Sequence, residues 1–158
     1  MTNGYPFERP QLRIKPLERG GRRPPMPRYA TGDAAGLDLA AFLPEEEQVT
    51  LLPGQWRLIP TGLCLAIPRR YAGLLLGRSG LAAKYGVTLT NCVGLIDADY
   101  RGEVQINLIN HGSQPFVVHD GDRIAQLLLL GVPEVELLLT DSLDDTARGA
   151  GGFGSTGV

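Results

Sequence analysis

The sequence predicts an all-β domain of the sandwich, jelly-roll or barrel type. Short apolar runs of four to eight residues recur along the chain, and Gly, Pro, Asn or Asp interrupts them every 8–12 residues. Only one short stretch favours a helix, and the sequence has no internal repeat. A length of 158 residues with 43% hydrophobic residues fits a single globular domain of this class.

The apolar runs predict the strands in chain order. Turn sequences such as Pro53-Gly54, Pro60–Gly62, Asn110–Gly112 and Asp120–Asp122 separate several of them. The predicted strands are Leu12–Leu17, Gly36–Phe42, Val49–Leu52, Trp56–Ile59, Leu63–Ile67, Ala72–Leu76, Val87–Thr90, Glu103–Asn110, Phe116–Val118, Arg123–Leu130 and Glu134–Leu139.

The single helix is predicted over Ser79–Tyr85. Ser79 can cap its start, the residues from Leu81 to Lys84 favour helix, and Gly86 can end it. The sequence Gly-Arg-Ser-Gly at this point also brings an arginine to free backbone N–H groups. It therefore fits either an anion site or an ordinary helix start with a surface arginine.

Two segments, Leu127–Leu130 and Leu137–Leu139, are apolar at consecutive rather than alternate positions. Strands that are apolar on both faces are normally covered on both faces. In a chain of this size, a second subunit is one candidate for the cover.

Charge is distributed unevenly. Residues 1–28 hold seven Lys/Arg and two Asp/Glu, a net of +5, whereas residues 29–158 hold eight and fifteen, a net of −7. The basic, proline-rich arm lacks the interleaved aromatic residues expected of a nucleic-acid contact. Several arginines of the acidic remainder lie in glycine-rich motifs, which favours a small anionic ligand.

Composition also bears on location. No apolar run approaches the ~18 residues that a membrane span needs. The first residues lack a basic region followed by an apolar stretch, so we expect a cytoplasmic protein without an export signal. Cys64 and Cys92 have no CxxC partner and lie among apolar residues, which predicts buried free thiols.

The glycine-rich end, Arg148-Gly-Ala-Gly-Gly-Phe-Gly-Ser-Thr-Gly-Val158, is too poor in apolar residues to order itself by packing. It nevertheless carries a guanidinium for phosphate, a ring that can stack on a base, and two hydroxyls. Composition alone leaves two interpretations open, a disordered terminus and a nucleotide-binding lid.

The segment from Asn91 to Gly102 predicts two strands joined by a hairpin turn. An asparagine presents a donor and an acceptor side by side, as a pyrimidine edge requires. Asp97 follows an apolar Leu-Ile pair, where partial burial could hold a carboxylate ready to activate water. On a regular strand Asp97 and Asp99 would share a face that suits a divalent metal, but in a turn both could simply be solvated.

Polar residues also lie within the apolar strands of AAGLDL (from Ala34) and GDRIAQL (from Gly121). Asp38, Arg123 and Gln126 are therefore either mutually paired structural groups or ligand contacts, because buried polar groups need partners.

Five ordered motifs, AAGLDL, GRSGLA, NCVGLIDADYRGE, GDRIAQL and RGAGGFGSTG, resemble those of the trimeric deoxyuridine triphosphate nucleotidohydrolases (dUTPases). The resemblance runs from about residue 12 to the last residue. It implies a jelly-roll-like β barrel with a flexible glycine-rich tail, and a homotrimer that hydrolyses dUTP to dUMP and pyrophosphate with Mg²⁺. This reaction keeps uracil out of DNA and supplies dUMP for thymidylate synthesis.

The resemblance also implies an organisation. Residues 1–10 would be a flexible extension, residues 11–147 the β domain, and residues 148–158 a lid over a neighbouring subunit's site. From that lid, Phe153 would stack on uracil while Arg148, Ser155 and Thr156 close over the phosphates. Gly77 departs from the family pattern, since many members have proline there.

Roles in the site follow from the same resemblance. Asp97 would orient and activate the water that attacks the α-phosphorus in line. Uracil would be read by Asn91 and by the backbone of Gly94, Leu95 and Ile96, with Gln105 beside the base and Tyr100 beneath the deoxyribose. The phosphates would be held by Arg78, Ser79, Gly80 and Gln126, and Asp38 would hold water around magnesium without binding the ion directly.

Two other interpretations compete. A dCTP deaminase has the same fold and similar RSG and GDRIAQL segments, but it needs a proton-shuttling glutamate where this chain has Asn107, and it lacks the glycine-rich tail. A non-catalytic nucleotide-sensing protein would not need Asp97 together with the full tail. Incubation with dUTP and dCTP, followed by assays for pyrophosphate and ammonia, separates the three.

Overall fold

The alternation of apolar and polar residues builds two larger sheets and a two-stranded ribbon around one core. The computed structural model describes residues 9–152 and contains eleven strands and one helix, α1 (Ser79–Tyr85). The strands are β1 (Arg13–Pro16), β2 (Arg28–Tyr29), β3 (Leu37–Ala40), β4 (Gln48–Leu51), β5 (Trp56–Ala66), β6 (Tyr71–Gly77), β7 (Val87–Leu89), β8 (Val93–Ile96), β9 (Glu103–Asn110), β10 (Phe116–His119) and β11 (Arg123–Gly131).

All strand pairs are antiparallel. One sheet has the order β1-β5-β9-β7, the second has the order β2-β3-β11-β6-β8, and β10 pairs with β4. Inward-facing residues of all three sheets form one hydrophobic cluster, with Ile59 and Ile106 from the first sheet and Leu75 and Leu127 from the second. The predicted all-β, jelly-roll-like fold with one short helix is confirmed, although the sheets do not close into a continuous barrel.

β9 illustrates why these residues form strands. Val104, Ile106 and Leu108 are buried, whereas the residues between them are exposed or half-buried, so the strand has the two-residue period of a sheet with one core face. Its last inward residue is Asn110, whose side-chain amide donates to the backbone oxygens of Leu51 and Gln114 at 2.8 Å each. These bonds satisfy a polar group that would otherwise be costly to bury.

β5 corrects the prediction of two strands separated by a turn at Pro60–Gly62. The strand is continuous, and its pairing register with β9 shifts between Pro60 and Cys64, which marks a β-bulge. Gly62 has φ = 69°, and the buried Thr61 hydroxyl donates to the Val104 backbone oxygen at 2.6 Å. Side-chain hydrogen bonds thus replace the ladder bonds that the bulge interrupts.

Glu134–Leu139 is not a strand, contrary to the sequence prediction. No strand of the described residues pairs with it, and its apolar side chains are open to solvent, Leu139 fully so. An isolated strand leaves its backbone groups unpaired, so apolar composition alone cannot order it. The expected cover for Leu137–Leu139 is therefore not supplied by any other part of residues 9–152.

Smaller corrections concern caps, thiols and β2. Arg78 rather than Ser79 is the N-cap of α1, with no side-chain capping bond, while Gly86 ends the helix with φ = 69° as predicted. Both cysteines are free, but Cys64 is half-buried and Cys92 is exposed, so the prediction of two buried thiols is wrong. The two-residue strand β2 was too short to be predicted.

No helix within residues 9–152 is long and apolar enough to cross a membrane.

Candidate active site

A cleft of about 330 Å³ opens beside β8 and the turn that follows it. Leu75 and Ile96 form part of its inner wall, and Leu58 and Val104 contribute from the facing sheet. The cleft brings together the residues that sequence analysis assigned to the base, the sugar and the attacking water: Asn91, Gly94, Leu95, Ile96, Asp97, Tyr100 and Gln105.

A tight turn presents Asn91 at the mouth of this cleft. The Thr90 backbone N–H donates to the Asn107 backbone oxygen at 2.8 Å, and the Val93 N–H donates to the Asn91 backbone oxygen at 2.6 Å. A Cβ at Gly94 would lie 3.0 Å from the Leu75 Cβ and 3.4 Å from the Asn91 Nδ2. Glycine at this position therefore leaves room for the asparagine amide beside an open stretch of backbone.

Asp97 lies in a turn and not on a strand. β8 ends at Ile96, and the Tyr100 N–H donates to the Asp97 backbone oxygen at 3.2 Å, so residues 97–100 reverse the chain. Asp97 and Asp99 are both exposed, and only Asp97 lines the cleft. Of the two alternatives left open for Asp97 and Asp99, the solvated turn is therefore observed and the shared strand face is not, because the chain turns directly after the apolar Leu-Ile pair.

The predicted hairpin also proves to be a crossover between sheets. β8 pairs with β6, whereas β9, on the other side of the turn, pairs with β5 and β7. The turn between them thus bridges the two sheets at the edge of the cleft.

Tyr100 is fixed at the end of this turn. Its hydroxyl donates to the Glu103 backbone oxygen at 3.1 Å, and a Cβ at Gly102 would collide with the phenol. The ring therefore folds over Gly102 while remaining 46% exposed towards the cleft. A half-exposed aromatic ring held by its hydroxyl provides a rigid platform for a flat or cyclic group.

A second group of polar residues surrounds the buried carboxylate of Asp38. Arg123 Nη1 lies 2.9 Å from Asp38 Oδ2, and Gln126 Nε2 lies 3.2 Å from Oδ1. Arg78 Nε lies 3.6 Å from Oδ1, and Arg78 Nη1 also donates to the Arg123 backbone oxygen at 3.0 Å. Two guanidinium groups share one carboxylate, so the cluster keeps an excess positive charge.

The second sheet places this cluster next to the cleft. Cross-strand pairing sets Asp38 against Gln126, Gln126 against Leu76, and Leu76 against Val93, so these residues form one row across β3, β11, β6 and β8. Directly paired residues point to the same face of a sheet. The strand that carries Gly94, Leu95 and Ile96 is thus separated from Gln126 by β6 alone.

Ser79 and Gly80 follow Arg78 directly at the start of α1. Both are exposed, and a Cβ added at Gly80 would meet no atom within 4 Å. Arg78, the N-cap, makes no side-chain capping bond, so the exposed start of this helix offers backbone N–H groups next to the Arg78 guanidinium.

The residues around Asp38 fit a water-mediated contact with magnesium. Mg²⁺ usually keeps several waters and takes its other oxygens from substrate phosphates and one or two carboxylates. Residues 9–152 contain no cluster of three or more His, Cys, Asp or Glu, so they form no complete metal cage. Both Asp38 oxygens already accept hydrogen bonds, yet a carboxylate oxygen can accept a second one from water.

Residues 148–152, the described part of the tail, are not among the residues that form either group. Arg148 Nε donates to the Gly151 oxygen at 2.8 Å, and Arg148 contacts neither the cleft nor the Asp38 cluster. Phe153, Ser155 and Thr156 lie outside the described residues.

Sequence reasoning assigned no specific role to two functional candidates. Arg123 was recognised as either a paired structural group or a ligand contact, and it makes the shorter of the two arginine contacts with Asp38. Glu103, which lines the cleft, was counted only as the first residue of a strand. Its contacts depend on the bulge in β5, which no local sequence pattern reveals.

Comparison with known proteins agrees with this arrangement. The sequence model of the dUTPase family matches residues 22–157. The deoxyuridine 5'-triphosphate nucleotidohydrolase of Maricaulis maris is 49% identical over 147 residues, which cover 93% of this chain and 96% of that protein. The enzyme of the same name from Desulfitobacterium hafniense is 55% identical over 141 residues, 89% of this chain and 92% of its own.

Solved structures show the same similarity. The dUTPase of Staphylococcus bacteriophage 80alpha with dUpNHpp superposes with a TM-score of 0.81 at 28% identity, over 94% of this chain and 99% of that one. A dUTPase variant of phage phi11 of S. aureus, described as coordinating a structural Mg(II) ion, superposes with a TM-score of 0.72 at 25% identity, over 84% and 97% of the two chains.

Proposed function

The chain belongs to the dUTPase family of hydrolases, and on that premise we propose that it converts dUTP to dUMP and pyrophosphate through a water that Asp97 directs at the α-phosphorus. One observation carries the proposal. Asn91, Asp97 and Tyr100 line a single cleft, and only one strand separates that cleft from the Asp38 cluster. Base, sugar and phosphate contacts are thus available within one nucleotide's reach.

Uracil is read at the turn before β8. The Asn91 carboxamide offers one donor and one acceptor, which match the adjacent acceptor and donor of the uracil edge. The backbone from Gly94 to Ile96 adds fixed N–H and C=O groups, and Gln105 lies across the cleft on β9. Close packing of Gly94 against Leu75 fixes this backbone, and we expect the turn to leave no room for the methyl group of thymine.

The deoxyribose rests on Tyr100. The ring cannot retreat from the sugar, because Gly102 lies behind it and the Glu103 oxygen holds its hydroxyl. A 2'-hydroxyl would then meet the ring without room to move, which disfavours UTP. The relative structure with dUpNHpp supports a nucleotide of this type as ligand.

The triphosphate lies over the Asp38 cluster. It carries about four negative charges, so the excess positive charge of Arg78 and Arg123 favours it, and Ser79, Gly80 and Gln126 add neutral donors. Asp38 keeps the guanidinium groups oriented before substrate arrives, and it would hold water around Mg²⁺ when the ion is bound. When bound, the ion would supply the positive charge that neutralises the phosphate oxygens.

Asp97 acts on the water. Its carboxylate is exposed at the rim of the cleft, on the side of the turn that continues β8, so it can orient a water and accept its proton. In-line attack then needs only that the α-phosphorus be held in front of this water, and positioning of this kind supplies most of the catalysis in phosphoryl transfer.

The proposal includes a homotrimer with shared sites in a reducing cytoplasm, the compartment that suits two free thiols. Trp56 and Leu58 are more than half exposed on the outer face of the first sheet, and the Asn107 Oδ1 on that face is buried without a hydrogen-bond partner within residues 9–152. The apolar segment 132–143 is exposed as well. Exposed apolar surface of this extent supports contacts with other copies, over whose sites residues 148–158 would close as a lid.

Incubation of the purified protein with dUTP and, separately, with dCTP tests the proposal. We expect pyrophosphate and dUMP from dUTP in the presence of Mg²⁺, and no ammonia from either nucleotide. Release of ammonia from dCTP would instead identify a deaminase. Its proton shuttle would then have to be a residue other than Asn107, because an amide cannot shuttle protons. Binding of dUTP without turnover would identify a nucleotide sensor.

A further inference from the structure

A short turn before β2, formed by Arg19–Arg22, contacts Glu103, a residue that lines the cleft. Arg19 and Arg22 form an isolated β-bridge across Gly20 and Gly21, whose φ values of 56° and 74° give a two-residue reversal. Both guanidinium groups lie over the Phe42 ring, at 5.5 and 5.4 Å from its centre. The two arginines are therefore held on the same aromatic residue by the same turn.

Their remaining contacts diverge. Arg22 pairs with Asp120 and donates to the Leu43 backbone oxygen at 3.1 Å, and neither of these residues lines the cleft. Arg19 donates to the Phe42 oxygen at 3.1 Å and to Glu103 Oε2 at 2.5 Å. Only Arg19 thus reaches a residue that lines the cleft.

Glu103 connects Arg19 with Tyr100. Its side chain is only 14% exposed, and its second carboxylate oxygen accepts the Gly62 backbone N–H at 2.6 Å, at the bulge in β5. Its backbone oxygen accepts the Tyr100 hydroxyl at 3.1 Å. The side chain fixes Glu103 at the start of β9, and the main chain of the same residue fixes the phenol.

We propose that Arg19 is a positioning residue for sugar selection, acting through the Glu103 carboxylate on the orientation of the Tyr100 ring. This inference rests on the proposed function, since it concerns how strictly a 2'-hydroxyl is excluded. Without Arg19, the Glu103 carboxylate keeps only the Gly62 N–H and turns towards water, because a poorly solvated charge without its counter-charge is unstable. The start of β9 then loosens, and Tyr100 loses its fixed acceptor.

The turn supplies a matched control for this inference. Arg19→Ala and Arg22→Ala each remove one cation from Phe42 and one ion pair with a carboxylate, but only Arg19 is connected to Tyr100. We expect Arg19→Ala to lower the ratio of kcat/KM for dUTP to that for UTP by about tenfold, less than the ~10²-fold cost of a 1 Å misplacement. Arg22→Ala should leave the ratio unchanged. Equal ratios in the two variants would overturn the inference.

A second measurement excludes a merely structural role. Tyr100→Phe removes only the hydroxyl, so adding Arg19→Ala to Tyr100→Phe should change the ratio no further, whereas an independent role of Arg19 would lower it again. Arg19→Lys keeps the charge and should restore part of the discrimination. Should Arg19→Ala fail to fold, Glu103→Gln carries the same expectation, and an unchanged ratio in that variant would contradict the inference.

The failure of the inference differs from that of the proposed function. A parent protein that does not hydrolyse dUTP contradicts the function. The inference can then be tested on binding, as the ratio of Kd values for UMP and dUMP measured by calorimetry in the parent, Arg19→Ala and Arg22→Ala proteins. A fall confined to Arg19→Ala supports it, and equal ratios overturn it.

Discussion

Two aspartates of the site differ sharply in their surroundings. Asp38 is 5% exposed and accepts hydrogen bonds from Arg123 and Gln126, whereas Asp97 is exposed in a turn and lines the cleft. The first is suited to holding cations in place and the second to exchanging a proton with water. Substitution of each residue should therefore affect a different property.

Asp97→Asn should leave the fold and nucleotide binding intact and lower kcat for dUTP by two to four orders of magnitude, because an amide cannot accept the proton of the water. Steady-state kinetics with pyrophosphate detection measure this. Asp99→Asn is the matched control, since Asp99 is exposed in the same turn but does not line the cleft. Turnover near the parent rate in Asp97→Asn would show that another group activates the water.

Asp38→Ala should destabilise the fold. Arg78 and Arg123 would face each other without a counter-charge, and because both are partly exposed we expect a loss of about 1–3 kcal/mol in the free energy of unfolding. Urea denaturation measures the loss, with the exposed Asp33→Ala as control. A variant as stable as the parent would mean that the arginines find other partners.

At the scale of elements, the bulge in β5 holds the start of β9, the strand that contributes Glu103 and Val104 to the cleft. It places Gly62 against Glu103 and buries Thr61, whose hydroxyl donates to the Val104 oxygen and accepts from the Leu63 N–H at 3.3 Å. A fully buried hydroxyl with two backbone partners has no substitute in an apolar side chain.

Thr61→Val has nearly the same shape and removes only the hydroxyl. We expect it to lower the free energy of unfolding by about 1–3 kcal/mol, because the Val104 oxygen loses its partner in the core. Thr50→Val, on the exposed face of β4, should change it by less than about 0.5 kcal/mol. Equal chemical-denaturation midpoints for the two variants would contradict this role of the hydroxyl.

Sequence patterns predicted local elements better than long-range ones. Periodicity and the flanking glycine located α1 and β9 with their observed bounds, because both depend on neighbouring residues. The bulge in β5 and the β8–β6 pairing depend on contacts with distant strands, so the sequence predicted a turn and a hairpin in their place. Glu134–Leu139 has strand-like composition but lacks a partner strand within residues 9–152.

The site was predicted unevenly for the same reason. The five motifs led to Asn91, Asp97 and Tyr100, which the cleft brings together. Polar positions within the apolar strands of two motifs also indicated that Arg123 could pair with Asp38, whereas no motif indicated the contact of Glu103 with Arg19, 84 positions away in the sequence. The roles of Asp97, Tyr100 and Glu103 are predictions that the variants above test.

At the scale of the whole molecule, the chain exposes apolar surface that residues 9–152 do not cover. Leu137, Leu138 and Leu139 are 79–103% exposed, and the segment that carries them leads to Arg148. A terminal segment that packs on another copy would carry its tail to that copy's cleft.

Removal of residues 148–158 should leave a folded assembly with little activity. The tail has almost no apolar content beyond Phe153, so the melting temperature should change only slightly. Loss of the Arg148 contact to phosphate alone should cost about 1.5–3 kcal/mol of transition-state stabilisation. Thermal unfolding and dUTP hydrolysis measure the two effects.

Mixing provides the sharper test of shared sites. After subunit exchange, tail-less chains mixed with Asp97→Asn chains should recover part of the activity, because an intact Asp97 can then meet an intact tail. Unmixed samples of each variant are the control. If mixing restores nothing, the tail either closes over its own chain's cleft or takes no part in catalysis.

The row Val93–Leu76–Gln126–Asp38 fixes the distance between β8 and the Asp38 cluster. Strands are spaced about 4.8 Å apart, so Gln126 lies roughly 10 Å from Val93 and Asp38 roughly 14 Å from it. The hydrogen bonds of the sheet hold this distance fixed. The distance would therefore select ligands by their length. If the proposed binding mode is correct, a nucleoside triphosphate would reach from β8 to the Asp38 cluster, whereas a monophosphate would fall short of that cluster. Cleavage would then favour release of the product, because dUMP would contact only the residues that bind the base and the sugar. We therefore expect weak product inhibition by dUMP.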